Sequence, residues 1–323
     1  MFVFVVRRVI LFIPVLFGVL VGTFAFIHYG PGDPLSIMFG EDDYENDPEI
    51  LARLRKIYGL DRPFFIQFGD YVCGGLCVPD ARNNGIIKGD FGKSLRSQRD
   101  ISAIIRASLP ISAQMGLAAF MILYLVGVPL GILAAVKQNT WVDYWIVAGS
   151  IAVASVPIFV LGPMVMIVVV LKLQVMDTPV GWEGLFSTNA ILPVALLSLG
   201  GMLGVVRMTR AGILEVVRQG YVRTARAKGL RERMVISRHI LRNALTPILT
   251  GFGPTLAGFL TGAFLVELVF GIPGFANAFI SAFQGRDFPM ILAGTMLGTA
   301  MWIVSNLAVD LLYGVMDPRV RYE

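Results

Sequence analysis

Reactive side chains are scarce in this sequence of 323 residues, and their spacing limits what they can do. His28 and His239 are the only histidines, and the topology derived below puts them on opposite faces of a membrane. No two-histidine metal site and no histidine-based acid–base pair can then form within the chain. Cys73 and Cys77 stand as Cys-Gly-Gly-Leu-Cys, where the glycines let a short loop close into a disulfide; two free thiols are the alternative. No histidine or second cysteine pair is near enough to complete a metal site there. Gly89-Asp90-Phe91-Gly92-Lys93-Ser94 resembles a phosphate loop, but Ile87 occupies the position where that motif requires its first glycine. The inventory gives no catalytic residue and no metal ligand set, and it points away from an enzyme.

The composition says what solvent positions these residues. The chain is 56% hydrophobic and 15% charged, with a mean hydropathy of +0.73, whereas soluble domains are nearer 45–50% apolar and about 25% charged. That balance excludes a disordered chain, a disulfide-dense secreted module and most soluble enzymes, because too much apolar surface would face water. A bilayer core of roughly 30 Å takes about 20 helical residues. Six uncharged runs reach that length: 9–29, 107–136, 144–171, 184–206, 243–266 and 288–309. None alternates apolar with polar residues as barrel strands do. The fold class is therefore all-α, a polytopic membrane bundle of six transmembrane helices.

Arg7 and Arg8 precede the first run as in a signal peptide, but the run exceeds the usual apolar length and no small-residue cleavage site follows. An uncleaved anchor is expected. With the N-terminus inside, the cytoplasmic segments hold Arg7, Arg8, Lys137, ten basic residues from Arg207 to Arg242, Arg319 and Arg321, while the short outer loops hold only Lys172 and Arg286. This bias places both termini in the cytoplasm. The net charge of +5 needs no nucleic acid, since the cations lie where topology puts them and no aromatic-rich basic groove accompanies them.

Three regions follow: an N-terminus and first helix over 1–29, an extracytoplasmic segment over 30–106, and a core of five helices over 107–323. The outer segment is too long for an unstructured connector. Asp47, Pro48 and Gly59 frame a short helix in it, with Ile50, Leu51, Leu54, Ile57 and Tyr58 on one face.

The core carries a basic cytoplasmic loop over 208–246. It runs Gln219-Gly220-Tyr221-Val222-Arg223-Thr224-Ala225-Arg226-Ala227-Lys228-Gly229-Leu230, and Gly229 breaks the helical pattern. Beyond it, Leu230, Met234, Leu241, Leu245 and Ile248 share an arc of about 60° beside Arg231, Arg238 and Arg242, while Val235, Ile236 and Ile240 fall outside it, which suits a helix packed on more than one side. A short helix ended by glycine and followed by a second helix makes a rigid projection. Its small residues Thr224, Ala225 and Ala227 would admit a partner's groove, with arginines at the rim. The same residues also suit a basic helix lying on anionic lipid.

This stretch resembles the cytoplasmic coupling loop of ATP-binding-cassette importer permeases, whose general pattern it meets at Ala225, Gly229 and Leu241. The fuller form, Tyr221 to Leu230 followed by Arg238-His239-Ile240-Leu241-Arg242-Asn243-Ala244-Leu245, is similar to the B-type permease of the dipeptide, oligopeptide and nickel branch. Pro31-Gly32-Asp33-Pro34, Gly89-Asp90-Phe91-Gly92, the run Val266 to Gly274, Arg286-Asp287-Phe288-Pro289 and Asp317-Pro318-Arg319 extend the similarity over nearly the whole chain. The resemblance implies an inner-membrane location and three kinds of protein partner: a second related permease, two cytosolic ATPases and an extracytoplasmic binding protein. It implies a coupling helix made by Tyr221, Thr224, Ala225, Arg226, Ala227, Lys228 and Gly229, docked on an ATPase so that ATP-driven closure drives alternating access. The chain itself would bind no cofactor; ATP and Mg would belong to the ATPases. Peptides are the expected cargo, with nickel chelates, glutathione-like molecules and oligosaccharides carried by relatives.

Ionisable residues within spans are costly and often functional. Glu267 and Asp310 are the candidates for pathway or gate; Glu267 is also within reach of Lys172 or Arg286 as a clasp, and Asp310 lies near the inner end of the sixth span. Pro157, Pro163 and Pro193, with glycine spacings at Gly258/Gly262 and Gly294/Gly298, predict kinked, closely packed helices. Two other classes remain: an ion-coupled secondary transporter, which would want charges in mid-span, and a membrane-anchored scaffold.

Overall fold

The computed structural model describes residues 2–30, 52–53, 55–56, 59–78, 81, 84–261 and 264–316. The turn Pro31 to Pro34, most of the expected helix between Asp47 and Gly59, and the tail with Asp317, Arg319 and Arg321 lie outside these residues. Of that helix, Ala52, Arg53, Arg55 and Lys56 are described and are helical.

In chain order the helices are α1 (Phe2–Tyr29), α2 (Phe64–Cys73), α3 (Ile101–Val136), α4 (Trp141–Ser155), α5 (Ile158–Met166), α6 (Thr188–Val217), α7 (Gly220–Ala227), α8 (Glu232–Met234), α9 (Leu241–Ala244), α10 (Thr246–Leu260), α11 (Phe264–Val269), α12 (Phe275–Gln284) and α13 (Phe288–Met316). Among the described residues there is no strand, only an isolated bridge between Lys93 and Asp100. Among the described residues five stretches are long and apolar enough to cross a membrane: Val6–Tyr29, Ile101–Val136, Thr188–Val217, Ile248–Val269 and Phe288–Leu311.

The third expected span is not one straight helix. Trp141–Ser155 and Ile158–Lys172 meet at 98°, and the count of crossings is six if this bent pair is one span. The proline explains the break. A residue before proline is pushed out of helical geometry, and Val156 is extended at φ −97° and ψ 119° while Pro157 opens α5. Pro193, by contrast, lies buried within an unbroken α6.

The chain divides into two compact units. One joins Phe2–Pro110 to Gly274–Ile303. Here Leu20, Phe24 and Ile27 of α1 pack with Phe68, Tyr71, Ile86 and Leu292, and a second cluster gathers Ile101, Ile105, Phe275, Ala282, Met290 and Ile291. Ile10, Leu11, Ile13 and Phe17, earlier on α1, are exposed. On a helix about 36 Å long over Val6–Tyr29, such a face suits hydrocarbon.

The other unit joins Ile111–Pro273 to the chain from Val304. Its core packs Met115 and Ala119 of α3 against Ala190, Leu192, Leu196 and Leu197 of α6, with Val266, Phe270 and Ile272. Further along the same helices, Leu123 meets Met202, Val205 and Val206. The opposite side of α3 exposes Leu117, Met121, Leu125 and Leu133. α6 is the strut of this unit, and α7 hangs from its end.

Candidate functional site

The geometry around α7 follows from a short helix with one apolar face. Arg218 closes α6, and extended Gln219 starts α7, its carbonyl accepting from Val222 N at 3.1 Å. Val222 and Ala225, three residues apart, fall on one face. They are 0% and 5% exposed in a cluster with Ala135, Ile213, Val235, Ile240 and Ala244. Burying the valine alone contributes on the order of 1.5–3 kcal/mol. Tyr221, Thr224, Arg226, Ala227, Lys228 and Gly229 are exposed. The structure therefore splits the expected docking residues. Ala225 faces the chain's own core rather than outward, because an eight-residue helix needs its few apolar positions for anchorage, and its small size lets α7 sit close to the chain beneath it.

Gly229 ends the helix in the left-handed region, at φ +75°. Its N–H donates to Arg226 O at 2.9 Å, and Lys228 N donates to Thr224 O at 3.0 Å, so two of the last four carbonyls are satisfied within the turn. Across this turn Arg226 holds Glu232 through Nε to Oε2 at 3.1 Å and Nη2 to Oε1 at 2.6 Å. Pairing raises the Arg226 guanidinium and lowers the Glu232 carboxyl from their ordinary values. Asn243 Nδ2 donates to Tyr221 Oη at 2.6 Å, tying the start of α7 to α9. Beneath, α6 meets α9 at backbone distance: a Cβ on Gly212 would lie 2.9 Å from Ala244 O.

The helix after Gly229 departs from the expected wheel. Val235 and Ile240 are buried and Met234 is 45% exposed. Val235–Ile240 forms a π-helical turn, whose i→i+5 bonding breaks the 100° phase used to place these side chains. Residues assigned off the apolar arc are thereby turned onto the core.

Of the in-span acids, Glu267 is fully buried and accepts from Ser112 Oγ at 2.6 Å, a link from α11 to α3. Asp310 lies on α13, partly buried. Sequence reasoning missed a stronger pair. Asp143, at the start of α4, takes two hydrogen bonds from Arg210 of α6 and one from Asn139 N. The available signal was an acid just before an apolar run and an arginine just after one, but nothing local couples them.

In the unit containing α1, the glycine-rich segment is a turn. Asp90 Oδ1 accepts from Gly92 N at 3.0 Å, and Oδ2 accepts from Asn84 N and Nδ2. The bond from Gly92 N leads in lowering its carboxyl. Ser94 Oγ donates to Asp287 Oδ2 at 2.5 Å and Leu95 N donates to Oδ1 at 3.0 Å, so the turn is tied to the start of α13. The Sγ atoms of Cys73 and Cys77 lie at bonding distance, with Cα atoms 5.6 Å apart.

The family models and the relatives match nearly the whole chain. The model of the binding-protein-dependent transport system inner membrane component matches residues 127–322, and that of its N-terminal region matches 1–116. The oligopeptide transport system permease protein OppB of Salmonella typhimurium is 35% identical, with 99% of each chain covered. The dipeptide transport system permease protein DppB of Escherichia coli is also 35% identical at the same coverage. Among solved structures, a chain of the MetNI methionine ABC transporter shares the fold with TM-score 0.55 and 15% identity, covering 67% of this chain and 97% of that one. Taken with the helical spans and the anchored α7, these matches show that the chain is a multi-pass membrane protein belonging to the family of binding-protein-dependent transport system inner membrane components.

Proposed function

We propose that the chain is a permease subunit of an ATP-driven importer of dipeptides or oligopeptides, working with a second related permease, two cytosolic ATPases and an extracytoplasmic binding protein. The observation that carries this reading is α7. It is an exposed helix anchored by Val222 and Ala225, stopped at Gly229 and stapled by Arg226 to Glu232, so force applied to it passes into α6 rather than bending a loop. The oligopeptide and dipeptide permeases among the relatives support the cargo class, and the lack of a phosphate loop in the sequence supports a borrowed motor.

In this reading Tyr221, Thr224, Arg226, Ala227, Lys228 and Gly229 present the ATPase-facing surface, and Ala225 sets how closely the helix sits on the core. Both termini lie in the cytoplasm of an inner-membrane protein, and the segment over 30–106 faces outward with Cys73 and Cys77 joined. Glu267 clasps α11 to α3 and Asp310 lies near the inner end of the last span. Alternating access arises when the ATPases close and tilt α6 through α7.

Reconstitution tests this directly. Labelled dipeptide and oligopeptide uptake into vesicles should require ATP and the complete set of partners. Uptake by this chain alone on an ion gradient would establish the secondary-transporter alternative instead.

A further inference from the structure

Within the unit of Phe2–Pro110 and Gly274–Ile303, the transport reading leaves one groove of ≈ 440 Å³ unused. Phe26 and Ile27 of α1, Phe283 of α12, and Phe288 and Ile291 of α13 form its walls, and among the described residues Arg286 is the one ionisable residue lining it. The span Val6–Tyr29 ends just past Ile27, and the span Phe288–Leu311 begins just after Arg286. Both walls are thus span ends, which sets the guanidinium at headgroup depth and the apolar walls beside the acyl region.

Two arginines stand at this corner beside a single acid. Among the described residues, neither Arg286 nor Arg96 has a side-chain hydrogen bond or ion pair. Arg96 reaches the same corner, since a Cβ on Gly285 would lie 3.2 Å from its Nη1. The adjacent acid, Asp287, is taken by Ser94 and Leu95. Arg286 keeps a left-handed φ of 51°, an unfavourable geometry for a side-chain-bearing residue. Phe26 is 73% exposed and Phe283 48%. A peptide would need a row of backbone partners, and these walls offer few: the Thr295 hydroxyl already donates to Ile291 O at 2.8 Å, which leaves Thr23 and Arg286. An alkyl chain needs none.

We propose that the groove is a binding site for one anionic phospholipid, its phosphate on Arg286 with Arg96 alongside and an acyl chain between α1 and α13. The test uses the full chain in native-lipid membranes carrying photoactivatable phosphatidylglycerol or, separately, photoactivatable phosphatidylcholine, with labelled peptides mapped. Phosphatidylglycerol should label the peptides holding Phe26 and Ile291 about fivefold more than phosphatidylcholine, the preference that one arginine near a headgroup supplies. R286Q should remove that preference, and I291W, which fills the groove but keeps the arginine, should remove the labelling. Equal labelling by the two lipids, preference unchanged in R286Q, or displacement from the unaltered protein by inorganic phosphate or by a peptide would each overturn the proposal.

Discussion

Arg210 on α6 grips Asp143 at the start of α4 with Nε to Oδ1 at 2.7 Å and Nη2 to Oδ2 at 2.8 Å, and Asp143 is only 2% exposed. The pair fixes α4 to the strut that carries α7. Its two parallel bonds require a planar guanidinium.

Arg210→Met should strand a buried carboxylate that keeps the hydrogen bond from Asn139 N, and cost about 3 kcal/mol, the lower end for a broken buried pair because Arg210 is itself 28% exposed. Arg210→Lys should lose less. Thermal unfolding of the purified protein checks the order, and Asp143→Asn combined with Arg210→Met should recover part of the loss.

The staple across Gly229 is pH-dependent with a defined sign. Pairing depresses the Glu232 carboxyl, so its contribution is complete above the ordinary glutamate range and is lost as pH falls through the depressed folded value. Arg226 is raised by the same contact, and its contribution holds below the ordinary arginine range. The protection of the Lys228 and Gly229 amides, taken relative to their intrinsic exchange rates at each pH, should fall on acidification below about pH 4, and Glu232→Gln should show the lower protection already at pH 7. An exposed pair is worth at most about 1 kcal/mol, so global stability should hardly move.

Two glycines should fail differently. A Cβ on Gly229 meets nothing within 4 Å, so Gly229→Ala carries only the left-handed backbone cost of about 1–2 kcal/mol, confined to the end of α7. In the assembled transporter it should lower uptake per ATP hydrolysed by about fivefold while leaving insertion intact. Gly212→Ala drives a methyl against Ala244 O and should reduce the yield of folded protein as well. Equal uptake-to-hydrolysis ratios for Gly229→Ala and the unaltered chain would remove α7 from coupling.

Ser112→Ala deletes a donor to buried Glu267 and should cost about 1–3 kcal/mol. Ser112→Thr, which keeps the hydroxyl, should be closer to the original in melting temperature.

Oxidised protein should yield a Cys73–Cys77 peptide lighter by two hydrogens than its reduced form. Reduction should raise hydrogen exchange around Gly74 and leave exchange in α7 unchanged. A mass spectrum with both thiols free would remove the crosslink.

Several elements were legible because they depend on counting charges along one segment. The uncharged runs become helical spans in the structure, and the tripeptide Lys228-Gly229-Leu230 marks a helix end, since Gly229 alone takes a left-handed conformation there without a Cβ penalty. The bend at Pro157 was hidden inside an uncharged run, where hydropathy is continuous although the backbone is not. The orientation of Ala225 was also hidden, because two apolar positions on eight residues fit either an inward anchor or an outward surface. Val235 and Ile240, outside the apolar arc, are buried, as packing on more than one side of the helix requires, while the π turn they bound changes the helical phase without changing composition.

The sequence by itself determined the solvent, the helical class, the number of apolar runs and the place of the glycine stop, since each is a property of residues close together in the chain. Only the tertiary structure decided that Arg210 meets Asp143, that Glu267 meets Ser112 and that Ala225 turns inward. Those contacts join distant segments, and which of them form is settled by how the helices pack, a choice that no local run of residues encodes.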